Sequence, residues 1–467
     1  MARVSGCKRV PLPPARRIPF MAPSINGRYW MGPYRKAVAK LSGGVMRILF
    51  ATYAERTHFH AMVPLARALE AAGHEVVVAS QASMSGVISG AGLTAVAVGR
   101  DSNLWRVLQL HAEAWKSART ELFPPFDLLS APRRERVYPA FRHGYEQVVK
   151  WWWRLVNDAM AGELTAFARH WRPRLVMWDA GTFSAAIAAS AVGAAHARIL
   201  CGLDLYGAAR REFLTLLERQ PPEERDDPLA SWLGLCAHRA GVPFAEEMTT
   251  GHFTVDQLPP FMRMETGLRR LPMRYVPYNG VAVVPRWLWR RPERPRVCVT
   301  LGTMNAERLG GSPISVRQVL DALADFEVEV VATVPQAERE GLGAPPANAR
   351  IVPHVPLHAL MGTVAAVVHH GGWGTMSTAA LCGVPQLVLA QQFDAPMRGR
   401  RLAGQSAGLC LPLDEVGVER LRECVRRLIE DPVFVAGAAG VREQMRAMPA
   451  PAAVAAEVTA LAAGFGS

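Results

Sequence analysis

Two doubly wound α/β domains, each a parallel sheet covered by helices on both faces, are the fold this 467-residue sequence predicts. Three observations carry the prediction. Strand and helix patterns alternate from Arg47, a second alternating run starts near Arg296, and a stretch dense in Pro and aromatics, 272–295, separates them. The length suits two domain cores, and a composition half apolar and one-fifth charged is that of a globular chain. Two such domains joined by one linker form a cleft that strand-end loops of both halves can face. That cleft is the expected ligand site.

Residues 1–45 stand apart. They hold nine Lys or Arg and no acid, and without them the formal net charge falls from +13 to +4. The remaining chain shows no Lys/Arg stripe interleaved with aromatics, so nucleic-acid binding is not expected. No apolar run in this head is long enough for a signal-peptide core, and Arg16-Arg17 is not continued as an export signal. The segment reads as a disordered or mis-annotated extension, with Met46 the expected start of the first domain. Deleting residues 1–45 should leave fold and activity intact, because they carry no periodic apolar face to bury. Melting and turnover of the truncated protein check this; an insoluble or inactive truncation contradicts it. No uninterrupted apolar stretch reaches the roughly 18 residues of a transmembrane helix, so none is expected. Seven scattered cysteines without paired spacing fit reduced thiols in a cytoplasm.

The first domain, 46–275, opens with a short apolar strand from Ile48 to Ala51. Met62, Leu65, Ala66 and Leu69 then recur at helical spacing, with Pro64 where a first turn tolerates it. Gly73 ends that helix before a strand from His74 to Ala79. This βαβ unit implies a parallel sheet, and the polar loop from Thr52 to His60 lies beyond the carboxyl end of its first strand. Residues 100–170 are rich in Trp and Arg. Trp151-Trp152-Trp153 reads either as helix packing on the core or as a greasy wall for an acceptor or partner. At about 100° per residue, three consecutive side chains cannot share one face. Leu175 to Trp178 returns to strand and ends at Asp179, and Phe183, Ile187 and Ala191 follow at helical spacing. Beyond the linker, 276–295, the second domain, 296–450, should hold strands from Val297 to Leu301, Val328 to Val334, Ala365 to Val368 and Leu387 to Leu389. Residues 451–467 are expected to dock back on the first domain.

The strongest chemical signal is His369-His370-Gly371-Gly372-Trp373-Gly374-Thr375, a strand end running into a helix. Glycines there let backbone N–H groups approach a ligand, and the helix end adds its positive field, which suits a phosphate. The missing Lys excludes a P-loop, and the spacing is not Gly-x-Gly-x-x-Gly. Alone, such a turn is equally well plain loop geometry.

Together with Gly383-Val384-Pro385-Gln386 and Asp394, this stretch resembles the nucleoside-diphosphate-sugar signature of GT-B fold glycosyltransferases. From Met46 to the C-terminus the chain is similar to their actinobacterial antibiotic branch, which attaches deoxysugars to polyketide aglycones such as macrolides and anthracyclines. Ala72-Gly73-His74-Glu75-Val76, Tyr278-Asn279-Gly280 and Val355-Pro356-Leu357-His358 are among the supporting segments. The resemblance implies two Rossmann-like domains and a dTDP-deoxysugar as donor, with inversion and no cofactor. It places the diphosphate at His370, Gly371, Gly372, Gly374 and Thr375, the base on Val355-Pro356, and the nucleotide along Gly302-Thr303. Asp394 matches an acid that contacts sugar hydroxyls; Ala395 stands where many glucose-transferring relatives have Gln, which suits a sugar with fewer hydroxyls. Several transferases of this branch act with an auxiliary protein related to haem-thiolate monooxygenases, so such a partner is implied too.

By the same resemblance, His58 is the catalytic base, at the family's spacing from Gly73-His74, and Asp179 is the acid that orients it. The chemistry asks for such a pair. An acceptor hydroxyl loses its proton as it attacks the anomeric carbon, and imidazole titrates near neutrality. A carboxylate on the other ring nitrogen fixes the tautomer and stabilises imidazolium. His60 is the rival base, and Asp179 also suits a helix N-cap. No Asp-x-Asp motif or His/Cys cluster has metal-ligand spacing, so chemistry without a metal is expected. Two other readings stay open: a nucleotide-sugar epimerase, and a non-catalytic nucleotide-sugar-binding helper, which would need neither His58 nor Asp179.

Overall fold

The computed structural model describes residues 44–101, 104–111, 115, 122–302, 314–390 and 393–465. Thr303 and the extension up to residue 43 lie outside the described residues. Seven strands, β1 (Arg47–Ala51), β2 (Glu75–Ser80), β3 (Thr94–Ala97), β4 (Leu175–Asp179), β5 (Ala195–Ile199), β6 (Phe253–Asp256) and β7 (Arg270–Pro272), form one sheet in the order β3-β2-β1-β4-β5-β6-β7. Six more, β8 (Arg296–Thr300), β9 (Glu329–Thr333), β10 (Ala349–Val352), β11 (Ala366–His369), β12 (Gln386–Ala390) and β13 (Gly408–Pro412), form a second in the order β10-β9-β8-β11-β12-β13. Every pairing is parallel. Central strands β4 and β8 are buried at every residue, as strands covered on both faces must be. The predicted doubly wound, Rossmann-like architecture is the one observed.

Strand order reverses between β1 and β4 in the first sheet, and between β8 and β11 in the second. A crevice opens outside the carboxyl ends at each reversal. Ala51 pairs with Trp178 across the first, and Thr300 with His369 across the second. Residues just beyond these pairs, far apart in sequence, are thereby brought to the same crevices.

Seven helices matter for the site: α1 (Arg56–Ala71), α2 (Phe183–Ser190), α3 (Leu205–Leu217), α4 (Trp373–Cys382), α5 (Ala395–Ala403), α6 (Pro432–Arg446) and α7 (Pro451–Gly464). Helix α1 starts earlier than its apolar spacing suggests. Glu55 caps it, accepting from the Thr57 amide at 3.4 Å, so residues 56–60 form its first turns rather than loop. Pro64 then sits inside the helix, not in its first turn, and leaves the His60 carbonyl without its helical N–H. Helix α7 places Val454, Val458 and Ala462 in the apolar cluster of Ile48, Phe59 and Leu65 of the first domain. Helix α6 packs Ala438, Val441 and Met445 beside Met376 and Ala380 of α4. The chain thus crosses between domains twice, and the Arg274 amide donates to the Pro449 carbonyl at 2.8 Å between the crossings. Among the described residues no single helix is long and apolar enough to cross a membrane; the bent pair α6 and α7 passes by length and composition, but the residues just named are buried in the protein.

The Trp triplet lies in a π-helical turn, Val149–Trp153. Trp153 is buried against Phe183, Trp152 stacks on Phe123 with ring centroids 5.9 Å apart, and Trp151 packs on His111 at 4.2 Å. The last ring enters the core and the two before it pack partly buried against it, as three successive helical positions require.

Candidate active site

Beyond the crevices lies one cavity of about 610 Å³, lined by residues of both domains. Of the residues expected at the site, His58, Asp179, Gly302, Val355, His370, Gly371, Gly372, Gly374, Thr375 and Asp394 all line it. Pro356 does not: it caps the short helix Leu357–Met361, and Pro353, His354 and Leu357 flank Val355 on that wall instead.

On the first-domain wall, α1 presents His58 and the end of β4 presents Asp179. His58 Nδ1 lies 3.1 Å from Asp179 Oδ1, which fixes the tautomer with the lone pair on Nε2, and the Cys201 side chain also hydrogen-bonds the ring. Asp179 is buried and firmly held: the Gly181 amide donates to its Oδ1 at 3.0 Å, and the Thr182 hydroxyl donates to its Oδ2. Thr182, not Asp179, occupies the N-cap position of α2, so the carboxylate is spent on His58 rather than on capping. Burial pulls the His58 imidazole down, but Cys201 and the Asp179 carboxylate more than reverse it, and its pKa stands well above the ordinary 6.5. His60 differs in kind. It meets Tyr278 edge-on at 5.4 Å, and burial together with nearby Arg56 lowers it to about 4, too weak a base to take a proton efficiently at neutral pH.

The second-domain wall is the glycine turn. Gly372 is the N-cap of α4 and has no side chain to satisfy the first-turn N–H groups, which remain open to an anion. His370 is clamped between two glycines: a Cβ on Gly302 would lie 2.5 Å from its Cε1, and one on Gly372 2.6 Å from its Nε2. Gly302 also has φ +78°, which L side chains rarely adopt. Burial keeps His370 neutral, its pKa lowered to about 4 despite a hydrogen bond to the Thr300 backbone, so the ring has a single N–H, which that carbonyl and a ligand would share. Its neighbour His369 serves the turn itself. Its Nδ1 accepts from the Gly371 amide at 3.0 Å, which puts the ring proton on Nε2, and that N–H donates to Gln386 Oε1 at 2.9 Å. Tyr275, from the segment after β7, donates to the Gly374 carbonyl at 3.3 Å and fixes the first turn of α4.

Several cavity residues escape sequence reasoning: Cys201, Tyr206, Phe393 and Arg398; Asn279 entered it only within the supporting segment Tyr278-Asn279-Gly280, with no role assigned. Only Arg398 left a signal, its i,i+4 spacing from Asp394 on one helix. Tyr206 and Phe393 form an apolar wall backed by Phe126, whose ring stacks on Tyr206 at 5.1 Å and meets Phe393 edge-on at 5.8 Å. Among the described residues no three His, Cys, Asp or Glu side chains converge where they could hold a metal ion.

Two parallel-sheet domains, with a histidine–carboxylate pair on one wall of their cleft and a glycine turn at a helix start on the other, are the arrangement of a GT-B glycosyltransferase. The chain belongs to the erythromycin biosynthesis protein CIII-like family, whose N-terminal domain model matches residues 67–302 and whose C-terminal domain model matches residues 317–461. It is 43% identical to a 10-deoxymethynolide desosaminyltransferase of Streptomyces venezuelae, over 90% of this chain and 97% of that one. It is 44% identical to an aklavinone 7-beta-L-rhodosaminyltransferase of Streptomyces galilaeus, over 88% and 94%. Among solved structures, the glycosyltransferase VinC in complex with dTDP superposes with a TM-score of 0.81 at 37% identity, covering 90% of this chain and all of that one.

Proposed function

We propose that this chain transfers a deoxysugar from a dTDP-sugar to a hydroxyl of a polyketide-type aglycone, with inversion and without a metal ion. The observation that carries the reading is the His58–Asp179 pair across one cavity from the glycine turn. The acceptor O–H gives its proton to His58 Nε2 while its oxygen attacks the anomeric carbon. The bond from that carbon to the diphosphate oxygen breaks, and the electron pair leaves with dTDP. Asp179 stabilises the imidazolium, and the open N–H groups of α4 with His370 take up the leaving group's charge without protonating it. A single displacement from the face opposite the leaving group inverts the centre. The Tyr206–Phe393 wall offers an aglycone apolar surface, and the relatives named above act on macrolide and anthracycline skeletons by their names.

Mixing the protein with a dTDP-deoxysugar and a polyketide acceptor should yield the glycosylated mass. Donor converted without acceptor would mean an epimerase; donor bound but unchanged would mean a binding helper. The pH profile tests the base. Free imidazole is the reactive form and its pKa is raised, so kcat/KM should fall as pH drops through a value above 6.5. Asp179→Asn removes the carboxylate charge and should move that limb to lower pH. A wild-type limb at or below 6.5 removes His58 from the role.

The proposal extends to an auxiliary protein of the haem-thiolate-monooxygenase-like kind, seated on the first domain. What supports it is an exposed apolar side chain: Leu110 is 76% exposed one residue before His111, whose ring packs on Trp151, and exposed apolar side chains at such edges favour partners. Turnover with and without that protein decides it, full activity of the single chain discarding the partner alone. Cytoplasmic placement is part of the same reading and draws on the free state of all six cysteines among the described residues.

A further inference from the structure

Asp394 is held in a way its expected contact with sugar hydroxyls does not require. Arg398, one helical turn on, grips it with a fork: Nε donates to Oδ2 at 2.8 Å and Nη2 to Oδ1 at 2.9 Å. A third donor comes from the other domain, the Leu203 amide, 2.9 Å from Oδ2. Both side chains are buried, with 6% and 4% of Asp394 and Arg398 exposed, yet both line the cavity. The Leu203 loop is itself rigid. Asp204 accepts the Gly207 amide at the start of α3 and is paired with buried Arg198 by two bonds of 3.0 and 2.8 Å. Gly202 lets the loop come this close, since a Cβ there would lie 2.7 Å from Asp394 Oδ2. Helix α5 grips the first domain a second time through Arg401, which donates to the Met262 carbonyl at 2.7 Å.

A carboxylate has about four acceptor positions, roughly two on each oxygen. Arg398 and Leu203 together fill both positions on Oδ2 and one on Oδ1. One remains. Ala395, the next residue, adds no polar side chain. We propose that Arg398 is the positioning residue of the sugar end of the cleft: it turns Asp394 so that Oδ2 joins the two domains through the Leu203 amide and Oδ1 keeps a single acceptor site for one sugar hydroxyl. The inference rests on the reading above that this end of the cavity receives the donor sugar. It gives the preference for a hydroxyl-poor sugar a cause inside the protein: a second hydroxyl directed here loses water and gains no partner.

Arg398→Lys keeps the charge but cannot fork, which reopens an acceptor position on Asp394. The expected result is a KM for a dTDP-deoxysugar raised about tenfold, with kcat within about threefold and the Kd for dTDP alone unchanged, because one charged hydrogen-bond geometry is lost only at the sugar. The preference for that donor over dTDP-glucose should relax by about tenfold as well. Arg398→Gln, neutral and of similar reach, should show the same pattern more strongly. Equal losses of dTDP and dTDP-sugar affinity, or an unchanged donor preference in a variant that melts like wild type, overturn the proposal. So does failure of both variants to fold, since the side chain would then be structural. Wild-type protein that binds no dTDP fails earlier, at the functional reading itself, and takes the proposal with it.

Discussion

His58→Ala should lower kcat by at least about a hundredfold while leaving the affinity for dTDP unchanged. A general base acts as the proton moves, in the transition state, so its removal is felt in turnover and not in ground-state binding of a nucleotide on the opposite wall. The geometry sharpens the contrast with the neighbouring histidine. His58 has its tautomer set by buried Asp179 at 3.1 Å, whereas His60 faces Tyr278 and is lowered to about 4. His60→Ala should therefore cost far less than His58→Ala in the same assay. Steady-state kinetics with calorimetric titration of dTDP decides it. A His60 variant as crippled as the His58 variant would reassign the base; an unimpaired His58 variant would remove it altogether.

If His370 donates to the diphosphate as proposed, His370→Ala should act on both quantities, weakening dTDP and lowering turnover, each by about 10²-fold, because such a donor serves bound and reacting states alike. Its neighbours add to the effect. The ring fills the space between Gly302 and Gly372, so truncation leaves a void in the turn that aims the α4 amides. His369→Gln offers the control: His369 holds the Gly371 amide from behind the turn and does not line the cavity, so its loss should show in thermal stability as well as in binding. Unchanged dTDP affinity in the His370 variant would mean that the glycine turn receives some other group.

The fold was legible from the sequence where strands are buried on both faces. Continuous apolar runs such as those of β1, β4 and β8 have one physical explanation, a parallel sheet between helices, and the linker composition separates the two runs. Strand β5 was not legible. It reads Ala-His-Ala-Arg-Ile, polar at alternate positions, and is nonetheless fully buried because Arg198 finds Asp204, Thr254 and the Thr250 carbonyl inside the protein. Burial of a charge depends on partners that only tertiary structure supplies. The start of α1 was missed for a related reason: its first turn is polar on the cavity side, so apolar spacing detects the helix only from Met62 onward, and Pro64 looked like a beginning instead of an interior residue.

By itself the sequence determined which residue types are available for the chemistry: a histidine after the first strand, an acid ending the fourth, glycines where a strand becomes a helix. Composition and spacing could not determine which of them meet: the resemblance paired His58 with Asp179, and nothing in the sequence paired Leu203 with Asp394. His58 and Asp179 are 121 residues apart, and Leu203 and Asp394 are 191 apart. They are joined only because each sheet reverses strand order at its centre and each domain points that crevice at the other. The role of Asp394 shows the limit most clearly. Its chemistry as an acceptor is fixed by its side chain, but how many acceptor positions remain is set by Arg398 and by an amide from the other domain, which no local pattern encodes.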